Sequence, residues 1–349
     1  MVQLGLLGCS HIHTPGFVRN LIKRQDVKLV KVWDPNPLRS QKWAAEAGAV
    51  VVTDPAEILN DKTIGGVIIC SQTSRHQELV KLTAKAQKPI FVEKPLGIAA
   101  KDGYAMAKLI QKADVLFSTG YFTRGSAAIL FIKQQIEKNA FGQITRIRGS
   151  NCHSGALGDW FKAKPDQPAE DWRWMADPAL SGVGAFGDLG THLLDIMLWL
   201  MGEVEWATAV ISTGINRYPN EDAAGGESFC DETGEGLLRF KNGAIGTLAA
   251  AWDDVANPVS LLVSGTEAHA AIINGKLFFK CDKLGIKDDQ PYSQLPEAIP
   301  AGFDAWVNAV AGIPDQKLVS AGEAAYRSAV MEAMYEGSRK NKWVAPRMI

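Results

Sequence analysis

The chain has 349 residues, of which 46% are hydrophobic and 21% charged, and its formal net charge is −1. This length allows two domains with a sizeable core, and the near-zero charge gives no reason to expect a nucleic acid or an anionic membrane as a partner. No apolar run reaches the length of a membrane span, and we expect no signal peptide. The five cysteines are scattered without a C-x-x-C pair, which favours reduced thiols in a cytoplasmic protein over disulfides or a metal site.

Short apolar runs alternate with helical patterns over residues 1–120. Strands are predicted at VQLGLLG, VKLVKVWD, AVVVT, GGVIIC, PIFVE and VLFSTG, and helices at 16–24, 38–47, 74–87 and 101–113. This alternation is typical of βαβ units, in which helices cover both faces of a parallel sheet. It predicts a doubly wound α/β domain at 1–120.

The pattern changes over residues 121–349. A helix at 126–139 and a strand at ITRIRGSNC precede a polar, Trp-rich loop at 154–187 and a helix at 188–201. Six strand-like runs joined by turns follow, and the Asn-Gly pair in FKNGAIG predicts a type I′ hairpin. We expect an α+β domain with a large, mostly antiparallel open sheet. Two final helices, at 301–311 and 321–339, can pack back on the first domain. The exposed face of the open sheet predicts a homodimer or homotetramer.

The turn after the first strand, LGLLGCSHIHTPG, partly matches the glycine-rich turn that binds a pyrophosphate at a helix N-terminus. Gly5 and Gly8 are present, but Ser10 and His13 replace the later glycines of the pattern. The stretch by itself favours a dinucleotide turn and an ordinary βα turn equally.

Asp34 ends the second strand at about the distance expected for a carboxylate that binds the adenosine ribose. A carboxylate there would repel a 2′-phosphate, which favours NAD. Two alternatives stay open, because DPNP is also a good turn and N-cap sequence and because Arg39, close downstream, could accommodate NADP.

Lys94 in FVEKPLG follows a predicted parallel strand, at the sheet edge where open α/β sheets bind ligands. A lysine there can polarise a hydroxyl or carbonyl oxygen. The alternative is a surface lysine in a loop.

Asp188 and His192 are four residues apart at the start of a predicted helix and therefore share one face. An imidazole beside a carboxylate is typical of a general base. The pair also suits two metal ligands, or a helix cap with a half-buried histidine, but no further ligands stand at a telling spacing. Asp195 is predicted to be structural.

Together these motifs resemble the Gfo/Idh/MocA family of NAD(P)-dependent oxidoreductases over nearly the whole chain. The resemblance rests on the first turn, VIICSQTSRH, FVEKPLG, DWRW, the Asp-x-Gly-x-His signature at 188–192, and LLRFKNGAIGTL. It implies an N-terminal Rossmann domain that binds NAD, with NADP as the alternative, and a second domain that binds a small polyol or sugar. The chain departs from the family at Ser10 and His13, and at Gly16, where many members have histidine.

The resemblance implies roles for individual residues. Lys94 and His192 would handle the hydroxyl proton, Asp188 would orient the histidine, and Glu93 would lie beside the nicotinamide ribose. The other cofactor-binding residues implied are Gly8, Ser10, His11, Ile12, Asp34, Ser71, Gln72 and His76. Ser10 and His11 would bond to phosphate. Besides the catalytic set, the implied substrate-binding residues are Tyr121, His153, Trp172 and Arg173, with Arg124 as a further cleft residue. Trp160 and Trp174 are predicted to pack in the core or at a subunit interface.

Three functions are compatible with this pattern. The first is reversible oxidation of a secondary alcohol on a sugar or cyclitol. The second is cleavage or elimination through transient sugar oxidation by tightly held NAD. The third is a non-catalytic sensor, which the retention of Lys94, Asp188 and His192 disfavours.

Overall fold

The computed structural model describes residues 1–158, 160, 161, 166–215, 230–256 and 259–349. These residues form two sheets with helices packed on them. A few positions of the predicted Trp-rich loop, residues 159 and 162–165, lie outside the described part of the chain.

The first sheet is parallel, with six strands in the order β3-β2-β1-β4-β5-β6 among the described residues. Its strands are β1 (Val2–Cys9), β2 (Val27–Trp33), β3 (Val50–Val51), β4 (Ile64–Cys70), β5 (Ile90–Val92) and β6 (Phe117–Thr119). Its helices are α1 (Thr14–Ile22), α2 (Pro37–Ala47), α3 (Ala56–Leu59), α4 (His76–Lys85) and α5 (Ala100–Ala113). The strand order reverses between β1 and β4, which opens a crevice at their carboxyl ends. The predicted doubly wound sheet is confirmed.

The second sheet has seven strands, in the order β13-β12-β11-β7-β10-β9-β8 within the described residues. Only β7 and β10 pair in parallel, so the expected mostly antiparallel open sheet is confirmed. The strands are β7 (Ile144–Cys152), β8 (Val204–Ser212), β9 (Thr233–Phe240), β10 (Ile245–Ala251), β11 (Ser260–Gly265), β12 (Ala268–Ile273) and β13 (Lys276–Cys281). The helices of this part are α6 (Ala127–Glu137), α7 (Pro178–Ser181) and α8 (Ala185–Met201). Buried and exposed residues alternate along β9, as in a sheet with one covered face.

Two C-terminal helices return to the first sheet. They are α9 (Phe303–Val310) and α10 (Ala321–Lys340). Phe303 and Trp306 of α9 join the core formed by Leu4 and Phe91, while α10 lies against α5 and β8. The chain beyond residue 120 therefore contributes to the core of the first sheet.

The hairpin between β9 and β10 differs from the predicted type I′ turn. Gly243 has φ 89°, but Asn242 does not lie in the positive-φ region, which a type I′ turn requires at both central residues. The loop is longer than the two residues of a type I′ turn, since β9 ends at Phe240 and β10 begins at Ile245. The side chain of Asn242 accepts from Ala244 N and donates to the carbonyl of Met201. These two bonds stabilise the loop without a positive φ at Asn242.

None of the helices in the described residues combines the length and apolar character needed to cross a bilayer.

Candidate active site

Lys94 lies just after β5 and points at the second domain. Its Nζ donates to Asp188 Oδ1 at 2.5 Å and to the Asp188 carbonyl at 3.3 Å. The lysine side chain is only 2% exposed, and that of Asp188 is 14% exposed. The structure thus joins two residues 94 positions apart into one buried ion pair, which bridges the two sheets.

Asp188 and His192 lie in the first two turns of α8, and Asp231 anchors the start of that helix. The Asp231 carboxylate accepts from Gly184 N at 3.0 Å and from Phe186 N at 2.7 Å. The Tyr335 hydroxyl donates to the same carboxylate at 2.7 Å. Since unpaired N–H groups at a helix N-terminus attract an anion, Asp231 sets the position of α8. The sequence offers no signal for this role, because Asp231 lies just before β9, far along the chain from the start of α8.

Burial and charge give Asp188 and His192 complementary protonation states. Burial raises the pKa of Asp188, but the Lys94 ammonium and its hydrogen bond lower it to about 2. Burial lowers the pKa of His192 well below its usual value, and the positive charges of Lys94 and His13 add smaller effects in the same direction. Near neutral pH the site therefore holds an ionised carboxylate and a neutral imidazole. The Nδ1 atom of His192 is buried and has no hydrogen-bond partner among the described residues.

Tyr121 and Phe122 flank His192 from the end of β6. Tyr121 is 1% exposed, and its hydroxyl bonds to Thr191 Oγ1 at 2.9 Å. The residue packs edge-on against His192 with its hydroxyl engaged by α8, and its predicted contact with substrate stays a prediction. Phe122, which the sequence analysis missed, is 58% exposed with its ring centroid 5.2 Å from that of His192.

Arg124 is not a cleft residue as predicted. Its guanidinium bonds to both oxygens of Asp195, at 2.6 and 2.8 Å, and to Glu323. Arg327 donates to the same Asp195 at 2.8 Å. The network ties the turn before α6 to α8 and α10, and the predicted structural role of Asp195 is confirmed.

The carboxyl ends of β7 and β10 form the opposite side of the site. Because these two strands are parallel, His153 and Trp252 follow paired residues and lie side by side. Trp252 Nε1 donates to Asp188 Oδ2 at 3.2 Å. The sequence analysis missed this second donor to the carboxylate, for which the only signal was a tryptophan at a strand end. His153 is partly buried, and its ring lies 4.9 Å from that of Trp160.

The turn between β1 and α1 lies at the crevice, as its position predicted. Gly8 has φ 81°, and a Cβ there would lie 2.6 Å from Ser71 Cβ, so only glycine fits against the loop after β4. Ser10 is buried, and its carbonyl accepts from Trp174 Nε1 at 2.8 Å. Ile12 packs against the cluster that contains Trp174. A segment of the second domain therefore holds this turn in place.

Asp34 lies at the end of β2 beside that turn. Its carboxylate accepts from Cys9 N at 2.6 Å and from Asn36 N at 2.8 Å, and Arg39 lies 3.9 Å away. A carboxylate has about four acceptor positions, so two remain for further hydroxyl donors. The two remaining acceptor positions of Asp34 and its location fit the hydroxyls of the adenosine ribose of a dinucleotide.

The His11 ring points toward Glu93. Its Nδ1 accepts from His13 N at 3.2 Å, and its Nε2 lies 4.0 Å from Glu93 Oε2. Its contact with a phosphate stays a prediction. The ring turns toward the end of β5 because β1 and β5 flank β4 in the sheet. Glu93 is fully buried, lies beside Gly120, and bonds to His13 Nδ1 at 3.0 Å.

His76 lies behind the cleft and not on its wall. It is 0% exposed and bonds through Nδ1 to the carbonyl of Leu96, so it holds the loop that carries Lys94. The predicted lining role is corrected on this ground. Ser71 is buried and donates to the carbonyl of Gln72, and Gln72 is partly exposed at the end of β4. Their contact with the cofactor stays a prediction.

The segment around DWRW crosses from the second domain onto α2. Arg39 donates to the carbonyl of Asp171 at 3.1 Å, and Arg173 pairs with the Asp171 carboxylate at 2.5 Å. Trp172 is partly buried against the Trp174 cluster. Trp174 packs in the core as predicted, whereas Trp160 is 44% exposed and is not a core residue. The substrate contacts of Trp172 and Arg173 stay predictions.

Two family models match consecutive parts of the chain. The model of an oxidoreductase family with an NAD-binding Rossmann fold, GFO/IDH/MocA, matches residues 2–121. The model of the GFO/IDH/MocA C-terminal domain matches residues 129–271.

The chain is similar to several proteins of known name. It is 29% identical over 211 residues to a levoglucosan dehydrogenase of Pseudarthrobacter phenanthrenivorans, covering 57% of this chain but only 52% of that protein. It is 28% identical over 250 residues to a myo-inositol 2-dehydrogenase of Thermotoga maritima (71% and 67% covered). It is 24% identical to a 2,7-anhydro-N-acetylneuraminate hydratase of Escherichia coli (79% and 66% covered).

A solved levoglucosan dehydrogenase in complex with NADH and levoglucosan shares the fold. The TM-score is 0.80 at 20% identity, and the match covers 99% of this chain and 100% of that one. The fold shared with this dehydrogenase therefore covers nearly the whole of the chain.

Proposed function

Because the chain belongs to the Gfo/Idh/MocA family of oxidoreductases, we propose that it oxidises a secondary alcohol of a sugar or cyclitol with NAD, and catalyses the reverse reduction. The observation that carries this proposal is the buried pair of Lys94 and Asp188, with His192 one helical turn further along α8. This set places a cation, an anion and a neutral base on one face of the crevice.

The crevice at β1 and β4 suits NAD as the cofactor. Asp34 would bind the adenosine ribose, the turn from Gly8 to Ile12 would lie beside the pyrophosphate, and Glu93 would lie near the nicotinamide ribose. Ser71 and Gln72 would contact it from the end of β4. When bound, NAD supplies a nicotinamide ring that accepts or donates hydride.

The side chains of this protein handle the proton and the charge. The neutral His192 accepts the hydroxyl proton, and the Lys94 ammonium stabilises the negative charge that develops on the substrate oxygen. Asp188, which accepts hydrogen bonds from both Lys94 and Trp252, holds the lysine in position. Because these groups are largely shielded from water, their electrostatic interactions are stronger than at a surface.

The substrate class is inferred from the relatives and from the walls of the site. Two of the relatives are named for levoglucosan and for myo-inositol. His153, Trp172 and Arg173 are the proposed hydrogen-bonding and stacking groups, and the exposed ring of Phe122 beside His192 adds an apolar wall. A screen of sugars, inositols and their oxidised forms with NAD, followed by NADH absorbance, tests this assignment.

The proposed base predicts a distinctive pH profile. Since burial and the charges of Lys94 and His13 lower the pKa of His192, its neutral form persists below the ordinary imidazole pKa of about 6.5. We expect kcat/KM for alcohol oxidation to stay level as pH falls to about 6.5, and to decrease only at lower pH, where the ring becomes protonated. An acid limb centred at or above about 6.5 contradicts this role.

Substitution of the same residue provides the matching test. His192→Gln is expected to lower kcat about a hundredfold and to remove the acid limb of the profile. His269→Ala, which alters a partly exposed histidine paired with Asp288, is the control and leaves both unchanged. Turnover of H192Q at the wild-type rate would refute the assignment.

Asp34 is expected to set the preference for NADH over NADPH. Asp34→Asn keeps an acceptor for one of the two backbone N–H groups but removes the charge that repels a 2′-phosphate. We expect the dissociation constant for NADPH divided by that for NADH to fall by about tenfold, or roughly 1.4 kcal/mol. Fluorescence titration with both nucleotides measures it, with the exposed Asp289→Asn as control. Tighter binding of NADPH than of NADH by the wild type would overturn the role.

A second candidate function is cleavage or elimination through transient sugar oxidation. The similarity to a hydratase favours it, as do the contacts of Arg39 and Ser10 with residues 171–174, which close the nucleotide side of the crevice. The test is gel filtration of a purified sample, followed by an assay with free sugars. If the protein retained NAD and formed no NADH, this reaction would replace net dehydrogenation as the proposed function.

The oligomeric state is proposed from the second sheet. Large apolar side chains are exposed on its strands, namely Trp206, Val210, Leu237, Ile245 and Ile273. A second copy of the chain that covers such a face would remove apolar surface from water, which supports a homodimer or homotetramer. Light scattering of the purified chain counts the subunits.

A further inference from the structure

His13 stands in the turn where the dinucleotide pattern has a glycine, with His11 two residues before it, and the proposed reaction gives neither side chain a proton to transfer. The fold brings them onto Glu93, which follows β5. His13 Nδ1 lies 3.0 Å from Glu93 Oε1, and His11 Nε2 lies 4.0 Å from Glu93 Oε2. One ligand atom from each residue lies within 4.8 Å of the other two.

We propose that His11, His13 and Glu93 bind one divalent transition-metal ion. Metal–ligand bonds of about 2.0–2.2 Å place the donor atoms of one ion roughly 3–3.5 Å apart. The Glu93–His13 pair already has this spacing. The His11 donor atom, 4.0 Å from Glu93, must move closer by about 1 Å to reach the same spacing. Two imidazoles and one carboxylate form a set that non-haem iron and zinc sites use.

The burial of the cluster suits a metal. The side chains of His11 and Glu93 are 3% and 0% exposed, so bulk water competes little for their donor atoms. His13 is 34% exposed, which leaves an entry path from solvent.

The change in hydrogen bonding on ligation is small. Coordination through His11 Nε2 moves the ring proton to Nδ1, so the bond from His13 N, long at 3.2 Å, is lost. His13 exchanges its bond to Glu93 for a bond to the ion. The charge balance is also favourable, since Glu93 is ionised and the Lys94 ammonium is neutralised by Asp188.

The donor types define the class of ion. Nitrogen donors favour Zn²⁺, Co²⁺, Ni²⁺ or Fe²⁺ over Mg²⁺ and Ca²⁺, which prefer all-oxygen sites. Three protein ligands leave at least one coordination position for water or for an oxygen of another ligand. The proposal concerns metal binding alone and does not depend on the proposed reaction.

The test is metal binding by the full chain, without substrate, after treatment with a chelator and measurement of its nucleotide content. We expect one equivalent of Co²⁺ to bind with a visible absorption band, and Zn²⁺ to displace it in a calorimetric titration. His13→Ala, which changes a partly exposed residue, is expected to weaken binding at least about tenfold and to remove the band. Glu93→Gln and His11→Ala are expected to have the same effect.

The control is His269→Ala, because the pair of His269 and Asp288 is a potential metal ligand outside the cluster. This variant is expected to bind Co²⁺ like the wild type. Circular dichroism melting establishes that each variant is folded. The proposal is overturned if the wild type binds no stoichiometric ion, if folded H13A binds as tightly as the wild type, or if only H269A loses the ion. Loss of dehydrogenase activity plays no part in these outcomes, so failure of the proposed function is recognised separately.

Discussion

Replacement of Lys94 by methionine is expected to lower turnover about 10³-fold while NADH still binds. The variant keeps the length and apolar stem of the side chain but removes the ammonium that we propose stabilises the substrate oxygen. It also leaves the Asp188 carboxylate, which is 14% exposed, without its ion-pair partner. We therefore expect the pKa of Asp188 to rise from about 2, because burial is no longer opposed by the positive charge.

The control for this variant is Lys101→Met, which alters an exposed lysine on α5. Steady-state rates of NADH formation and fluorescence titration with NADH separate the loss of chemistry from the loss of binding. Wild-type turnover by K94M would show that another group stabilises the oxygen. If K94M lost NADH binding while K101M bound NADH like the wild type, the result would show that Lys94 acts on the cofactor crevice in general.

Asp195→Ala is expected to be the most destabilising single substitution proposed here, at about 3–5 kcal/mol of unfolding free energy. Asp195 is 1% exposed and accepts from Arg124 and Arg327, which are 12% and 4% exposed. Removal of the carboxylate leaves two largely buried guanidinium groups with only the partly exposed Glu323 as an acidic partner in the described network. Asp195→Asn, which keeps a side-chain acceptor, is expected to lose less.

Urea unfolding of the purified chain measures this effect. The control is Asp26→Ala, which breaks the pair of Arg24 and Asp26 at a position where Asp26 is 41% exposed. Because water screens such a pair, that change is expected to cost less than about 1 kcal/mol. Equal losses for D195A and D26A would show that the buried network contributes no more than a surface ion pair.

Much of the fold follows from local pattern. The apolar strands and amphipathic helices of the first 120 residues predicted every strand of the first sheet, because a parallel strand buried on both faces is apolar at nearly every position. The second sheet followed from runs of alternating residues and short turns. The prediction failed at the β9–β10 turn, where the side-chain bonds of Asn242 override the local preference for a type I′ turn.

The sequence by itself determined the fold class and the crevice at the end of the parallel strands, and it predicted Lys94, Asp188 and His192 as candidate site residues. These follow from periodicity and from short motifs, whose residues are close in the chain. Only the tertiary structure decided which side chains meet. It turned His11 and His13 onto Glu93, packed Tyr121 against His192, placed His76 behind the site, and brought Trp252 to Asp188 and Asp231 to the start of α8. Such contacts join residues tens of positions apart, and their geometry depends on how the elements pack, which no local pattern encodes.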